Sequence, residues 1–155
     1  MSIDDLQIRK ATAADLDQIL DLLRVSSLPT DGVEEHLPHF FLARDSTDQL
    51  VGCAAVERYG TLGLLRSVAV SAGLQRSGLG SRLVKTVLND AQHAGIDEVV
   101  LLTTTARDFF ARHFAFQETT REPYTAQLAH SVEWQLPRCS SAVVMSLRFA
   151  KEATA

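Results

Sequence analysis

The chain has 155 residues, of which 46% are hydrophobic and 22% are charged, and its formal net charge is -4. This composition is typical of globular proteins and excludes a disordered chain, and the length predicts a single domain over residues 1–155. The acidic balance and the scattered Lys and Arg residues exclude a typical nucleic-acid binder, whose affinity depends on clustered basic side chains.

The N-terminal segment MSIDDLQIRK lacks an apolar core after a basic start, so we expect no secretory signal, and no apolar run approaches the length of a membrane span. Cys53 and Cys139 lie far apart in sequence and provide neither a disulfide framework nor a zinc spacing. His36 and His39 have a loose His-x-x-His spacing, but Pro38 disfavours the helix that a metal pair prefers, so we expect no metal. We expect a cytoplasmic protein with no membrane partner.

The first half of the chain is predicted to contain a strand, a helix and an antiparallel meander. Residues 8–12 form the predicted strand, and Thr12 with Asp15 resembles a capping box that begins the helix. Apolar residues recur at helical spacing until Pro29 and Gly32 end the pattern. Three predicted strands follow, HFFLARD, QLVGCAAVERYG and LGLLRSVAV.

The second half is predicted to begin with a crossover unit. A helix runs from Gly78 to about Gly95 and leads into the strand DEVVLLTTT. A strand, loop, helix and strand in succession imply parallel pairing of the two strands. A helix over residues 106–113, a short strand around Phe116, an irregular or short-helical insert over residues 123–137 and a terminal strand SAVVMSLRF follow. The predicted fold class is therefore α/β.

The loop VSAGLQRSGLGSRL places Gln75, Gly78 and Gly80 in the pattern Gln-x-x-Gly-x-Gly at the start of a helix. The N–H groups of a first helical turn attract anions, and glycine lets a ligand oxygen approach the backbone. Arg76 would add a charge-assisted contact. The alternative is that the glycines only shape a tight turn. Leu83 stands where a dinucleotide fingerprint needs its third glycine, and the P-loop signature is absent.

Together with IRKATAADLDQI and TTTARDFFARHFAF, the segment LLRSVAVSAGLQRSGLGSRLV resembles the GNAT superfamily of acetyl-CoA-dependent N-acetyltransferases, over residues 8–149. The resemblance implies a mixed, mostly antiparallel sheet in which a central pair of parallel strands splays to admit acetyl-CoA. It also implies that the pyrophosphate binds the loop and that the pantetheine arm pairs with the strand before it. The residues implied for acetyl-CoA binding are Val68, Ala69, Val70, Gln75, Arg76, Ser77, Gly78, Leu79, Gly80 and Ser81.

Three positions depart from the superfamily pattern. Phe110 stands where the superfamily often has a tyrosine that protonates the departing CoA thiolate. Because a phenyl ring has no proton to give, solvent, the nascent ammonium or another side chain must supply that proton, or the thiolate leaves unprotonated. Phe110 is still expected to pack against the pantetheine arm. Thr103 replaces a frequent asparagine, and Ala115 with Phe116 replaces the usual Gly-Phe pair.

A finer resemblance is to the arsenic-resistance branch of these acetyltransferases. It rests on Leu28 and Pro29 and on the segments VERYGTLGLLRSVAV, LLTTTARDFF and RCSSAVVM. It implies small amino-acid-like acceptors, including compounds that bear arsenic.

Glu57 is predicted to be the catalytic base, because it ends an apolar strand beside the implied acetyl-CoA strand. The alternative is a solvated carboxylate paired with Arg58 or Arg66. Arg66 is predicted to clamp an acidic acceptor, to form an internal salt bridge with Glu57, or both. Tyr59 lines the same mouth or packs at its rim. Thr103 hydrogen-bonds the substrate or only satisfies strand propensity.

We expect transfer of the acetyl group of acetyl-CoA to the primary amine of a small amino-acid-like acceptor, with backbone N–H groups near residues 68–70 stabilising the oxyanion. Acceptor specificity is expected from residues 28–41, 57–66 and 124–134, with Trp134 as a core or interface anchor. A non-catalytic acyl-CoA-binding or sensing module and a protein N-acetyltransferase are the alternatives. A homodimer is one option for the assembly.

Overall fold

Seven strands form one sheet in a computed structural model that describes residues 5–139 and 141–150. The strands are β1 (Gln7–Lys10), β2 (Phe40–Arg44), β3 (Leu50–Tyr59), β4 (Leu62–Val70), β5 (Glu98–Thr103), β6 (Gln117–Thr119) and β7 (Val143–Arg148). Their order across the sheet is β1-β2-β3-β4-β5-β7-β6. Neighbouring strands are antiparallel except β4 and β5, which are parallel. The predicted meander, parallel pair and mixed α/β class are confirmed.

Three parts of the chain used in the sequence predictions lie outside the described residues. Residues 1–4 belong to the segment from which we expect no secretory signal, and Ser140 belongs to the RCSSAVVM segment. Residues 151–155 complete the predicted single domain.

Helices cover both faces of the sheet: α1 (Leu16–Val25), α2 (Leu79–His93), α3 (Arg107–Phe114) and the short α4 (Val132–Gln135). The apolar sides of α2 and α3 pack on one face, with Leu83 and Phe110 in the buried cluster. On the opposite face, α1 packs through Ile19, and α4 packs through Trp134 against Leu64. Trp134 is therefore a core residue, as one of the two predictions had it.

The ends of several elements differ from the predicted ones for local reasons. β5 ends at Thr103 rather than Thr105, because the Thr103 hydroxyl accepts a hydrogen bond from the N–H of Ala106 at 2.9 Å and turns the chain toward α3. The strand predicted around Phe116 begins one residue later, and Phe116 itself is buried in the core. Ala115 ends α3 with φ of 60°, a left-handed conformation that costs an alanine about 1 kcal/mol.

The predicted capping box is present and has a distant partner. The N–H of Thr12 donates to Asp15 Oδ2 at 2.7 Å, and Arg44 Nη2 donates to Asp15 Oδ1 at 2.6 Å. Asp15 and Arg44 are both buried. Burial alone would raise the pKa of Asp15, but hydrogen bonds from Thr12, Arg44 and Arg9 outweigh it and lower this pKa to about 2.

This shift makes the stability of the protein depend on acid. The folded pKa of Asp15 lies below its ordinary value of 3.8, so its carboxylate stabilises the fold above about pH 4 and loses this effect as the pH falls toward 2. The shift corresponds to about 2 kcal/mol. Urea unfolding from pH 7 to pH 2.5 should therefore show that the free-energy difference between wild type and Asp15→Asn narrows below about pH 4.

Asp21→Asn is the control, because Asp21 pairs with Arg24 at 3.2 Å on an exposed helix face. Its difference from wild type should stay within about 0.5 kcal/mol at every pH. If the difference in free energy of unfolding between wild type and Asp15→Asn does not change with pH, the acid sensitivity does not come from Asp15.

Candidate functional site

The parallel strands β4 and β5 separate part-way along their length. Their pairing ends at Leu65 and Leu101, although β4 continues to Val70 and β5 continues to Thr103. Beyond that point β4 still pairs with β3, and β5 still pairs with β7. Each strand keeps its outer neighbour and loses its inner one, so a slot opens in the middle of the sheet whose two edges have no strand partner in the described part of the chain.

β4 bulges where the slot begins. Arg66 pairs with Ala55 of β3, and Ala69 pairs with Cys53. Two residues of β4 therefore lie between these pairs where β3 has one, so β4 carries one extra residue. Ser67 lies in this bulge with φ of 59°, the left-handed conformation. The Sγ of Cys53 donates to the Ser67 carbonyl at 3.2 Å, and burial raises the pKa of this thiol to about 12. Cys53 is therefore a structural thiol.

A cavity of about 400 Å³ opens at the slot. Its walls come from the second half of β4, the end of β5, the start of α3, the loop after α1 and the segment around α4. The residues on these walls include Arg66, Ser67, Val68, Thr103, Phe110 and Glu133.

At the start of α2, after the loop that follows β4, two backbone N–H groups donate a hydrogen bond to no described residue. The first hydrogen bond of α2 runs from Arg82 N to Gly78 O at 3.1 Å, so the N–H groups of Gly80 and Ser81 lie ahead of it. Gly78 has φ of 90°, which glycine adopts without strain. A Cβ at Gly80 would meet only Val70 Cγ2, at 3.8 Å. This helix start has both the donors and the space to bind an anion.

The structure brings the predicted acetyl-CoA residues to one end of the slot. Val68, Ala69 and Val70 are the last residues of β4, and residues 75–81 follow directly and begin α2. The hydroxyl of Ser77 donates to Leu74 O and lies 3.3 Å from Leu79 N, which tightens this turn. Their role in binding acetyl-CoA stays a prediction.

Glu57 is fully buried in a polar cluster on the face that carries α1 and α4. Its Oε2 accepts from Arg66 Nη1 at 2.8 Å, and its Oε1 accepts from Tyr59 at 2.5 Å and from Ser131 at 2.8 Å. His36 Nε2 lies 3.7 Å from the same Oε1. The solvated alternative for Glu57 is wrong, because burial and these donors enclose the carboxylate, whereas its pairing with Arg66 is confirmed. Glu57 does not line the cavity.

Tyr59 belongs to this cluster rather than to the cavity wall. Burial raises the pKa of Tyr59, and the hydrogen bond that its hydroxyl donates to Glu57 raises it further. The phenol therefore stays protonated and acts as a donor to the carboxylate. Its predicted contact with the acceptor stays a prediction.

Arg66 holds the loop after α1 as well as Glu57. Its Nη1 donates to Asp31 O at 2.7 Å, its Nη2 to Pro29 O at 3.2 Å, and its Nε to Ser67 Oγ at 2.9 Å. The side chain has no exposed surface. The predicted internal salt bridge is confirmed, and the clamp on an acidic acceptor stays a prediction.

The predicted cavity residues Thr103 and Phe110 both lie on the wall, and Glu133 is an additional carboxylate there. Glu133 is 7% exposed, and its Oε1 lies 3.7 Å from Arg66 Nε. The sequence pointed to the insert but not to this residue. The sequence did contain one signal for the short helix that carries Glu133. Serine is a typical N-cap residue, and the hydroxyl of Ser131 accepts a hydrogen bond from Trp134 N at 3.2 Å at the start of this helix.

Within residues 5–139 and 141–150, no group of three or more His, Cys, Asp or Glu side chains is placed to bind a metal ion. None of the helices in these ranges combines the length and the apolar character that crossing a bilayer requires.

Comparison with known proteins gives a family. The sequence matches the model of the Acetyltransferase (GNAT) family over residues 4–116, well over half of the chain. The chain belongs to the acetyltransferase (GNAT) family. Among solved structures, this chain resembles that of N-acetylglutamate synthase from Neisseria gonorrhoeae complexed with coenzyme A and L-arginine. The TM-score is 0.76 and the sequence identity is 24%, and the match covers 94% of this chain and 34% of that one. This likeness shows that the two share the fold.

Two curated relatives of this GNAT protein are longer than the matched region. An uncharacterized N-acetyltransferase of Chlorobaculum tepidum is 30% identical over 99 residues, which is 63% of this chain and 62% of that protein. The amino-acid acetyltransferase of Mycobacterium tuberculosis is 33% identical over 97 residues, 61% of this chain and 55% of that protein. The chain thus spans somewhat over half the length of these relatives.

Proposed function

We propose that this GNAT protein transfers the acetyl group of acetyl-CoA to the primary amine of a small amino-acid-like acceptor. The observation that carries the proposal is the slot between β4 and β5, where the two inner strand edges have no strand partner among the described residues. An amide-containing arm such as pantetheine can pair with such an edge as an added strand does. Relatives named amino-acid acetyltransferase support the class of acceptor.

Acetyl-CoA fits the residues around the slot. The N–H groups of Gly80 and Ser81, with Arg76 nearby, suit a pyrophosphate because the helix start favours negative charge. Val68 and Phe110 on the cavity wall provide apolar surface for the pantetheine arm. Backbone N–H groups near Val68, Ala69 and Val70, beside the bulge in β4, would donate to the oxyanion of the tetrahedral intermediate.

We propose Glu57 as the base that takes the first proton from the acceptor ammonium. Glu57 does not line the cavity, whereas Arg66 lines the cavity and also contacts Glu57. The proton would therefore travel to Glu57 through a water molecule beside Arg66. Glu57→Gln should lower kcat/KM by about 100-fold at low pH and less at high pH, where the amine is already neutral, with unchanged CoA affinity. A pH profile of kcat/KM with calorimetric CoA titration tests this.

Glu133→Gln is the matched comparison, because it removes the carboxylate that lies on the cavity wall. We expect a smaller and pH-independent effect from it. A pH-dependent loss in Glu133→Gln together with an unchanged profile in Glu57→Gln would assign the base to Glu133. Both variants are assayed below the thermal transition of the less stable one.

The function itself is tested by measuring CoA release with a panel of amino acids, amine antibiotics, arsenic-containing amino acids and peptides. Turnover with free amino acids supports the proposal. Turnover with peptides alone would favour a protein N-acetyltransferase. Tight CoA binding without turnover on any acceptor would favour a sensing module.

Three finer assignments rest on the sequence and accompany this proposal. Arsenic resistance predicts preferred turnover of the arsenic-containing amino acids in the panel. The homodimer is tested by sedimentation of the purified protein. The cytoplasmic location is tested by fractionation of the cells that produce it.

A further inference from the structure

Acetyl transfer from a thioester to a neutral amine moves a proton from nitrogen to sulfur when the products are the amide and the CoA thiol. The amine nitrogen forms a bond to the thioester carbon, the carbon–sulfur bond breaks, and the nitrogen of the intermediate loses a proton while the CoA sulfur gains one. Phe110 lies on the cavity wall and has no proton to give. On the basis of the proposed function, we propose that the hydroxyl of Ser67 carries this proton.

The first support is the position of Ser67. It lies on the cavity wall with Phe110, at the bulge where β4 leaves β5. Its backbone has φ of 59°, which is unfavourable by about 1 kcal/mol for a residue with a Cβ. Such conformations persist where surrounding structure enforces them, and they cluster at functional sites. The bulge therefore fixes the direction of a buried serine inside the slot.

The second support is the cation that holds the hydroxyl oxygen. Arg66 Nε donates to Ser67 Oγ at 2.9 Å, and the Arg66 side chain is fully buried. The oxygen thus accepts a charge-assisted hydrogen bond, whereas no described residue accepts the proton of this hydroxyl. A hydroxyl polarised by a guanidinium is a better proton donor, since linked hydrogen bonds strengthen one another in a low dielectric.

The other hydroxyls near Phe110 fit this role less well. The Thr103 oxygen accepts from backbone N–H groups at the start of α3, including Ala106 N at 2.9 Å, and no cation contacts it among the described residues. Ser27, Thr104 and Thr105 also line the cavity but are exposed. Ser67 alone among these five combines burial, a cationic donor and an unassigned proton within the described residues.

The step balances without another reactant. As the carbon–sulfur bond breaks, the Ser67 proton passes to the departing sulfur, and Ser67 Oγ takes a proton from the nitrogen of the intermediate. The products are the amide and CoA with its thiol protonated, and the serine returns to its starting state. Glu57 is needed only to make the amine neutral before attack.

The test compares Ser67→Ala with Ser67→Gly. Both should lower kcat by about 100-fold with KM and CoA affinity unchanged, because general acid–base catalysis contributes a factor of this order. Serine and alanine both carry a Cβ, whereas glycine adopts φ of 59° without strain, so an effect that came from the backbone would appear in Ser67→Gly and not in Ser67→Ala. Adding Phe110→Tyr to Ser67→Ala should restore about tenfold of the loss, because it supplies a phenolic proton in the same cavity.

Distinct results would overturn the inference and the proposed function. If the wild type turns over an acceptor and both Ser67 variants keep its kcat, Ser67 is not the proton carrier and the proposed function stands. If Thr103→Val loses kcat while the Ser67 variants keep it, and a thermal transition shows that Thr103→Val is folded, Thr103 carries the proton instead. A wild type that releases no CoA with any acceptor in the panel would overturn the proposed function and this inference together.

Discussion

Arg66→Ala is expected to lower the free energy of unfolding by about 3–5 kcal/mol, because it leaves a buried carboxylate without its cationic partner. Glu57 and the Arg66 side chain are both inaccessible to solvent, and their closest atoms are 2.8 Å apart. The carbonyls of Pro29 and Asp31 lose their donor as well. For a domain of this size, the thermal midpoint should fall by about 10 °C. Scanning calorimetry measures this change.

Arg107→Ala is the matched control for an exposed pair. Arg107 lies 3.3 Å from Glu118, and both side chains are more than half exposed. Its removal should change the free energy of unfolding by no more than about 0.5 kcal/mol. Replacing Arg66 and Glu57 together by methionine should recover much of the loss, because no unpaired charge of this pair is left. A cost below about 1 kcal/mol for Arg66→Ala would mean that this pair contributes no more to stability than an exposed pair does.

The same variant reports on the acceptor. Arg66 orders the loop after α1 through two carbonyls and lies on the cavity wall. At a temperature where Arg66→Ala is folded, KM for an acidic acceptor should rise by more than KM for acetyl-CoA. An equal rise in both constants would contradict the predicted clamp.

Gly80→Val is expected to weaken CoA binding by about 100-fold. A charge-assisted hydrogen bond is worth about 1.5–3 kcal/mol, so preventing two of them costs at least about 3 kcal/mol, and this lower limit corresponds to that factor. The new Cβ would meet only Val70 Cγ2, at 3.8 Å, so the fold has room for it while the branched side chain occupies the space in front of the amides. Calorimetric titration with CoA measures the affinity.

Gly73→Val is the control for this variant. Gly73 lies in the same loop, and a Cβ there has no neighbour within 4 Å. CoA affinity should therefore stay at the wild-type value in Gly73→Val. Unchanged affinity in Gly80→Val would remove the assignment of the pyrophosphate to the start of α2.

Local patterns in the sequence predicted much of this fold. The Thr12 and Asp15 capping box and the crossover through α2 both depend on residues close in sequence, and both are present. The partner of Asp15 was not predictable in the same way. Arg44 is 29 residues away, and an arginine at the end of a strand is usually exposed, so only the packed structure reveals the buried pair.

The candidate site shows the same limit more strongly. Ser131 donates to Glu57 across 74 residues, from an insert whose polar side chains are typical of a surface loop. The slot was implied by family resemblance and not by hydrophobicity, because the apolar pattern of β4 continues past Leu65, where its pairing with β5 stops. Strand pairing depends on backbone geometry, and the bulge at Ser67 changes that geometry without a sequence signal of its own.

The early end of the β4–β5 pairing also divides the sheet mechanically. Within residues 5–139 and 141–150, two half-sheets, β1–β4 and β5–β7–β6, pair with each other at four positions, from Leu62 with Glu98 to Leu65 with Leu101. A ligand that hydrogen-bonds to both inner edges would act as a removable cross-link between these halves. Since binding to the folded state alone raises the free energy of unfolding, the resistance of this domain to unfolding would then follow the cellular concentration of that ligand.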